Sequence, residues 1–226
     1  TKPNDILSDA GKDIKLQADQ DAEAVIIQAL ASSGFPVLAE ESGSHGDTET
    51  DGPLWVIDPL DGTMNFSRGI PLCCLSIGLM HGNQPILGVI YDFNHEDWYT
   101  GIVGEGAWLN DSPMHVSAIT QREKAILSTG FPTNRDYSDE AIAEIITHVQ
   151  EFKKVRCFGT AALALAYVAS GCIEAYAEDA IMLWDVAAGV ALVKAAGGQV
   201  ELSNHETIPW ARHVRAAAHQ SLWSTP

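Results

Sequence analysis

Leu54-Trp55-Val56-Ile57-Asp58-Pro59-Leu60-Asp61-Gly62-Thr63-Met64-Asn65-Phe66 carries apolar, β-prone residues into two carboxylates three positions apart. Pro59 removes a backbone donor, and Asp61-Gly62-Thr63 turns the chain. Asp61 or Thr63 can cap a helix whose first N–H groups point outward. One short segment therefore offers oxygen ligands for hard cations and a helix start for an anion. That pairing suits a metal-bound phosphate.

Two further stretches carry the same chemistry. Upstream, Val37-Leu38-Ala39-Glu40-Glu41-Ser42-Gly43 ends a short apolar run in two more carboxylates. Downstream, Trp184-Asp185-Val186-Ala187-Ala188-Gly189 opens an apolar helix with a fifth. Each stretch alone has a plain explanation: a solvated charge pair for Glu40-Glu41, a surface turn for Asp-Gly-Thr, a capped core helix for Trp184-Asp185. Together they supply what hydrolysis of a phosphate monoester needs. A water must become hydroxide-like, the phosphoryl charge must be screened, and the alkoxide leaving group must be stabilised. Magnesium ions about 3.5–4 Å apart can do all three, and they prefer oxygen ligands. No Ser, Cys or His nucleophile stands in the motifs, so direct attack by a metal-activated water is expected. A haloacid-dehalogenase-type phosphatase is a rival, because it uses D-x-D-G-T after a buried strand. Here the spacing is D-x-x-D-G-T, and one extra strand residue changes which group faces the phosphate. A non-catalytic module that binds divalent cations is a second rival.

Bulk properties narrow the partners. The 226 residues can bury a substantial core, and 46% hydrophobic with 19% charged residues reads as a soluble globular protein. A net charge of −17 argues against nucleic acid and anionic membranes. It does not exclude an anionic substrate, because bound metal inverts the local field. No apolar run reaches transmembrane length and no signal peptide is visible, so a cytoplasmic location is expected. Cys73, Cys74, Cys157 and Cys172 form no C-x-x-C pair and read as small thiols in a reducing compartment.

Along the chain, residues 1–17 give no firm signal. Periodicity predicts a helix over about 20–33, with Asp19 as its cap and Ala22, Val25, Ile26, Ala29 and Leu30 on its apolar face. Residues 37–40 read as a strand and 42–53 as a mobile loop beside the site. Apolar runs at 72–80, 85–91, 98–103 and 107–109, divided by turn signals, indicate an antiparallel meander, with Trp55, Trp98 and Trp108 in its core. From residue 125 strands alternate with helices. Strands are predicted at 125–129, 155–158, 173–177, 200–202 and 214–217, a turn at Gly130-Phe131-Pro132, and helices at about 138–152, 160–169 and 183–196. Ile142, Ile145, Ile146 and Val149 share one face of the first of these helices. A seam near 118–123 divides the chain into halves, 1–120 with most carboxylates and 121–226 with Asp185.

Residues 55–66 follow W-x-[IV]-D-P-[IL]-D-G-T-x-N-F throughout, and with the Glu-Glu and Trp-Asp-Val-Ala-Ala-Gly motifs the chain resembles the inositol monophosphatase family. The resemblance runs from about Asp19 to the C-terminus. It implies the five-layer αβαβα sandwich shared with fructose-1,6-bisphosphatase, an α+β and α/β mixture with the metal site between the halves. It implies two or three Mg2+ ions. Glu40, Asp58 and the carbonyl of Leu60 would hold the activating metal, and Asp58, Asp61 and Asp185 the second. Glu40 would also hold a looser third ion. Thr63 with Glu40 would orient the attacking water, with Asp19 behind Thr63 and Glu41 behind the ligands. The N–H groups of Gly62 and Thr63 would receive phosphate. Asp61, Gly159, Thr160, Ala161, Glu178 and Asp185 would contact the substrate, with Glu178 accepting hydrogen bonds from polyol hydroxyls. Family substrates include inositol phosphates, fructose bisphosphate, histidinol phosphate and nucleotide bisphosphates, and Thr-Met-Asn-Phe is closest to the inositol branch. A homodimer and lithium sensitivity are also implied. Two positions depart from the family pattern: Glu174 where Asp is common, and Gln17 where Thr or Ser is common.

Overall fold

The computed structural model describes residues 6–10, 13–49, 51–131 and 137–223. Two short strands, β1 (Ile6–Ala10) and β2 (Asp13–Leu16), pair antiparallel in the stretch that carries no firm sequence signal. Helix α1 (Gln17–Leu30) follows β2 without a gap. It therefore starts before the predicted cap, and Asp19 sits inside its first turn. Its inward face matches the predicted one only in part, at Ile26 and Leu30. Val25 is 67% exposed and Ala29 is exposed, whereas Ile26, Ile27 and Leu30 pack inward beside buried Asp19 and Glu23.

The larger sheet has eight strands in the order β10-β9-β8-β7-β6-β5-β3-β4. They are β3 (Val37–Ala39), β4 (Gly43–His45), β5 (Pro53–Asp61), β6 (Cys74–His81), β7 (Gln84–Asp92), β8 (Asp97–Ile102), β9 (Gly106–Leu109) and β10 (Ser112–Pro113). The single turn α2 (Thr63–Ser67) leaves the end of β5. The strands from β5 to β10 form the expected meander, and β3 pairs parallel with β5. The 42–53 segment is not all loop: β4 adds a strand at the sheet edge. Trp98 is not core; it is 47% exposed and stacks on Tyr91.

The second sheet has five strands in the order β12-β11-β13-β15-β14. These are β11 (Ile126–Ser128), β12 (Lys154–Arg156), β13 (Ala175–Met182), β14 (Gln199–Asn204) and β15 (Ala211–Ala217). Between them run α3 (Asp139–Glu151), α4 (Ala161–Ala169) and α5 (Leu183–Ala195). Strand β13 runs five residues past its predicted end, so Glu178 lies inside the strand. The predicted turn at 130–132 reaches Pro132, outside the described residues. On α3, Ile145 is buried, but Ile142, Ile146 and Val149 face outward.

Helices α4 and α5 fill the space between the two sheets. α5 packs on β5, β6 and β7 on one side and on β13, β14 and β15 on the other. A helix covered on both sides needs apolar residues all round, and residues 186–193 are all buried. With α1 against the larger sheet and α3 beside β12, the layers read α, β, α, β, α. The inner helix lies very close to the larger sheet. A Cβ on Gly78 would meet Ala187 Cβ and Ala188 N at 2.9 Å. One on Gly88 would overlap the Ala188 carbonyl, with its carbon at 2.9 Å. Glycine is required at both places by space, not by backbone angle. No helix among the described residues is long and apolar enough to cross a membrane.

Candidate active site

Asp58 and Asp61 lie at the end of β5. In a regular strand, positions three apart point to opposite faces. The β5–β6 register, however, slips between Asp58↔Ser76 and Asp61↔Cys74. Three residues on β5 oppose two on β6, which is a β-bulge, and the extra residue restores both carboxylates to one side. Pro59 sits in the bulge, where its missing N–H breaks no ladder bond. The Leu60 N–H donates to Asp58 Oδ1 at 2.9 Å, and the Thr63 hydroxyl donates to the Leu60 carbonyl at 3.0 Å.

Glu40 arrives from β3. Its N–H extends the parallel pairing to the Ile57 carbonyl at 3.2 Å, which sets it beside Asp58. Asp185 arrives in the first turn of α5, which Ser76 anchors by donating to the Trp184 carbonyl at 3.3 Å. Carboxylate oxygens of Glu40, Asp58 and Asp185 lie within 4.8 Å of one another. Asp61 stands beside this group, held from the second half. Its Oδ2 accepts the Thr160 hydroxyl at 2.6 Å and the Ala162 N–H at 2.7 Å.

These carboxyls line one cleft of about 460 Å³. Leu60, Gly62, Thr63, Gly159, Thr160, Ala161 and Glu178 line it too, so nearly every expected residue is brought together. Asp19 and Glu41 do not line it. Asp19 is buried in the first turn of α1, near enough for its charge to act on Glu40. The Glu41 N–H donates to Glu23 Oε2 at 2.9 Å. Gly62 begins α2 in the left-handed region, with no side-chain cap from Asp61 or Thr63. Thr160 caps α4 by accepting the Leu163 N–H while donating to Asp61. The two departures from the family pattern lie off the cleft. Glu174 accepts the Ile126 N–H at 2.7 Å, and Gln17 bonds Asp21 at 2.8 Å.

Sequence reading missed four residues. Glu23 holds the Glu40-Glu41 junction. Asn65 donates to the Leu72 and Phe158 carbonyls, both at 2.8 Å, tying α2 to the second half. Tyr176 and Gly130 flank Glu178. Two left a usable signal: Asn65 is a fixed position of the pattern in residues 55–66, and Glu23 with Asp19 forms an i,i+4 carboxylate pair on a helix face that packs inward.

The electrostatics follow from the crowding. Burial, with the neighbouring negative charges of Glu41, Asp61 and Asp19, lifts Glu40 to about 7, against a hydrogen bond with Asp58. Burial and the charges of Glu40, Asp61 and Asp185 push Asp58 well above its usual range. Burial and then the Glu40 charge do the same for Asp185. Burial raises Asp61 to about 6, although Thr160 and backbone N–H groups oppose it. Among the described residues no Lys, Arg or His lines the cleft. Buried carboxylates without an internal cation, presenting only oxygen donors, fit hard divalent cations.

The metal-free protein should lose stability as pH rises. Its folded pKa values are raised, so between about pH 4 and 7 the folded state binds more protons than the unfolded one. This contribution to stability is present at low pH and is lost as pH rises through the folded values. In excess chelator the melting temperature should be higher at pH 5 than at pH 8. A divalent cation should raise it more at pH 8. A chelated protein whose melting temperature climbs from pH 5 to 8 would contradict this.

A second cluster, His205, Glu206 and His213, lies on the β14–β15 side. His213 bonds Asp179 through Nδ1 at 3.0 Å, and His205 Nδ1 accepts the Thr207 and Ile208 N–H groups at 3.2 Å. These bonds read as turn and strand fixtures.

The inositol monophosphatase family model matches residues 4–224. An inositol-1-monophosphatase of Synechocystis sp. is 36% identical over 95% of this chain and 78% of its own. The Nus factor SuhB of Xylella fastidiosa is 37% identical over 86% of this chain and 71% of its own. The solved inositol monophosphatase of Anabaena (Nostoc) sp. superposes with a TM-score of 0.81 at 39% identity, covering 89% of this chain and 81% of that one.

Proposed function

Because the chain belongs to the inositol monophosphatase family, whose members are phosphoric monoester hydrolases, we propose that it hydrolyses an inositol monophosphate or a related uncharged polyol monophosphate with Mg2+. The observation that carries this reading is the convergence of Glu40, Asp58 and Asp185 beside Asp61 in one cleft. Glu40, Asp58 and the Leu60 carbonyl would hold one ion, and Asp58, Asp61 and Asp185 another, with Glu40 also reaching a third. Bound there, magnesium would acidify a water, screen the phosphoryl charge and stabilise the departing alkoxide.

The chain's own residues do the rest. The Thr63 hydroxyl, donating to Leu60, keeps its oxygen as an acceptor that orients the attacking water together with Glu40. Asp19 and Glu41 support this arrangement from behind. The N–H groups of Gly62 and Thr63 receive the phosphate. Gly159, Thr160 and Ala161 shape the far wall, and Glu178 accepts hydroxyls of the alcohol. The cleft's charge bears on substrate choice. Fructose bisphosphate or a nucleotide bisphosphate would bring a second phosphate, for which the described lining residues offer no cationic side chain. A neutral polyol beside Glu178 fits better.

Phosphate release should be measured from inositol monophosphate and from both bisphosphates, with magnesium and then with excess chelator, in oxygen-18 water. We expect release from the monophosphate, none with chelator, and one solvent oxygen in the phosphate. Turnover in excess chelator, or a trapped aspartyl-phosphate, would overturn the reading.

A further inference from the structure

Tyr176 and Glu178, two apart on β13, share a face of the strand, and both are buried in the cleft wall. The Tyr176 hydroxyl donates to Glu178 Oε2. Against the same carboxylate lies Gly130. A Cβ there would overlap the carboxylate, with Cδ only 2.7 Å away. Gly130 has no positive φ, so the backbone does not ask for glycine; an added Cβ would instead displace the Glu178 carboxylate.

Beyond this contact the strand is irregular. The β13–β15 register slips between Glu178 and Ile181, and within that slip Ala180 takes φ 57°. A non-glycine residue in the left-handed region is held there by its surroundings. Successive strand residues face opposite sides, so Glu178 serves the cleft while its neighbour Asp179 bonds His213.

A carboxylate has about four acceptor sites. One bond from a rigid phenol fixes the plane of the group and so aims the others. We propose that Tyr176 and Gly130 determine specificity at this site. They lock the Glu178 carboxylate in the one orientation that accepts hydroxyls of a polyol, and so select polyol monophosphates over esters whose alcohol lacks hydroxyls. Tyr176 is a positioning residue, acting through Glu178. The inference rests on the phosphatase reading above and sharpens its substrate class.

The test uses the full chain as Tyr176→Phe, Gly130→Ala, Glu178→Ala and the double variant Tyr176→Phe/Glu178→Ala. Steady-state kinetics on inositol 1-phosphate and on phenyl phosphate give the ratio of the two kcat/KM values. Tyr176→Phe should lower that ratio about tenfold, the effect of one hydrogen bond to a charged partner, with the loss in KM for the polyol ester rather than in kcat. Gly130→Ala should lower it similarly. The double variant should be no worse than Glu178→Ala alone. Calorimetric Kd values for the two esters with Ca2+ give the same ratio without turnover, so they decide the matter even if the parent chain released no phosphate. An unchanged ratio in either single variant, an equal loss on both esters, or additive losses in the double variant would overturn the proposal. Should Tyr176→Phe fail to fold, Gly130→Ala decides alone.

Discussion

Asp61→Asn should lower kcat at least about a hundredfold while the protein still folds. The expectation comes from how the carboxylate is shared. Oδ2 accepts two donors from the second half, the Thr160 hydroxyl and the Ala162 N–H, and in the function proposed above Oδ1 turns to a metal. Asparagine has one acceptor oxygen and one NH2 donor. If its oxygen faces Thr160 and Ala162, its NH2 points at the cation. If it flips, the NH2 meets two donors in a buried place. The first arrangement keeps the fold and loses the ligand, so it should prevail, and activity should fall far more than melting temperature. Turnover at saturating magnesium, with a thermal melt of the same sample, checks both halves. Near-normal kcat would remove Asp61 from the metal assignment.

Gly88→Ala should reduce both stability and activity although Gly88 does not line the cleft. Its new methyl group would overlap the Ala188 carbonyl of α5, with Ala188 Cα 3.1 Å away. Both partners are backbone, so neither yields by changing a rotamer. The helix must lift off β7, which as overpacking costs about 1–3 kcal/mol. At about 2–4 °C per kcal/mol for a chain of this length, the melting temperature should drop several degrees. Asp185 rides on the first turn of the same helix, and a misplacement near 1 Å lowers catalysis by about a hundredfold. Kinetics and calorimetry on the purified variant test this. A variant with lowered stability but parental kcat would mean that Asp185 does not depend on the seating of α5.

These two residues also mark what the sequence could and could not disclose. Asp61 was legible because its signal is local: a β-prone run, a proline and a turn. The meander of the larger sheet was legible for the same reason. Gly88 gave no sign, because its requirement comes from a helix a hundred residues later in the chain. The apolar periodicity of α1 finds Ile26 and Leu30 but not the inward Asp19 and Glu23, and it adds Val25 and Ala29, which face outward. Helix α3 shows the converse: a regular apolar stripe that the fold leaves mostly outside. The bulge at Pro59 lay in plain view as D-P-x-D, but only the pairing with β6 reveals that it turns both carboxylates the same way.

The bonds that Asp61 and Asn65 make across the chain have a mechanical meaning. Asp61 reaches Thr160, 99 positions on, and Asn65 reaches Phe158, 93 positions on, so the cleft floor is riveted from both halves. Prising the layers apart would pull Asp61, a ligand in the function proposed above, out of the cleft floor before it widened the mouth. Enzymes that swallow their substrates by domain closure need a loose joint at that place. Here the bonds from Asp61 and Asn65 stiffen that joint instead.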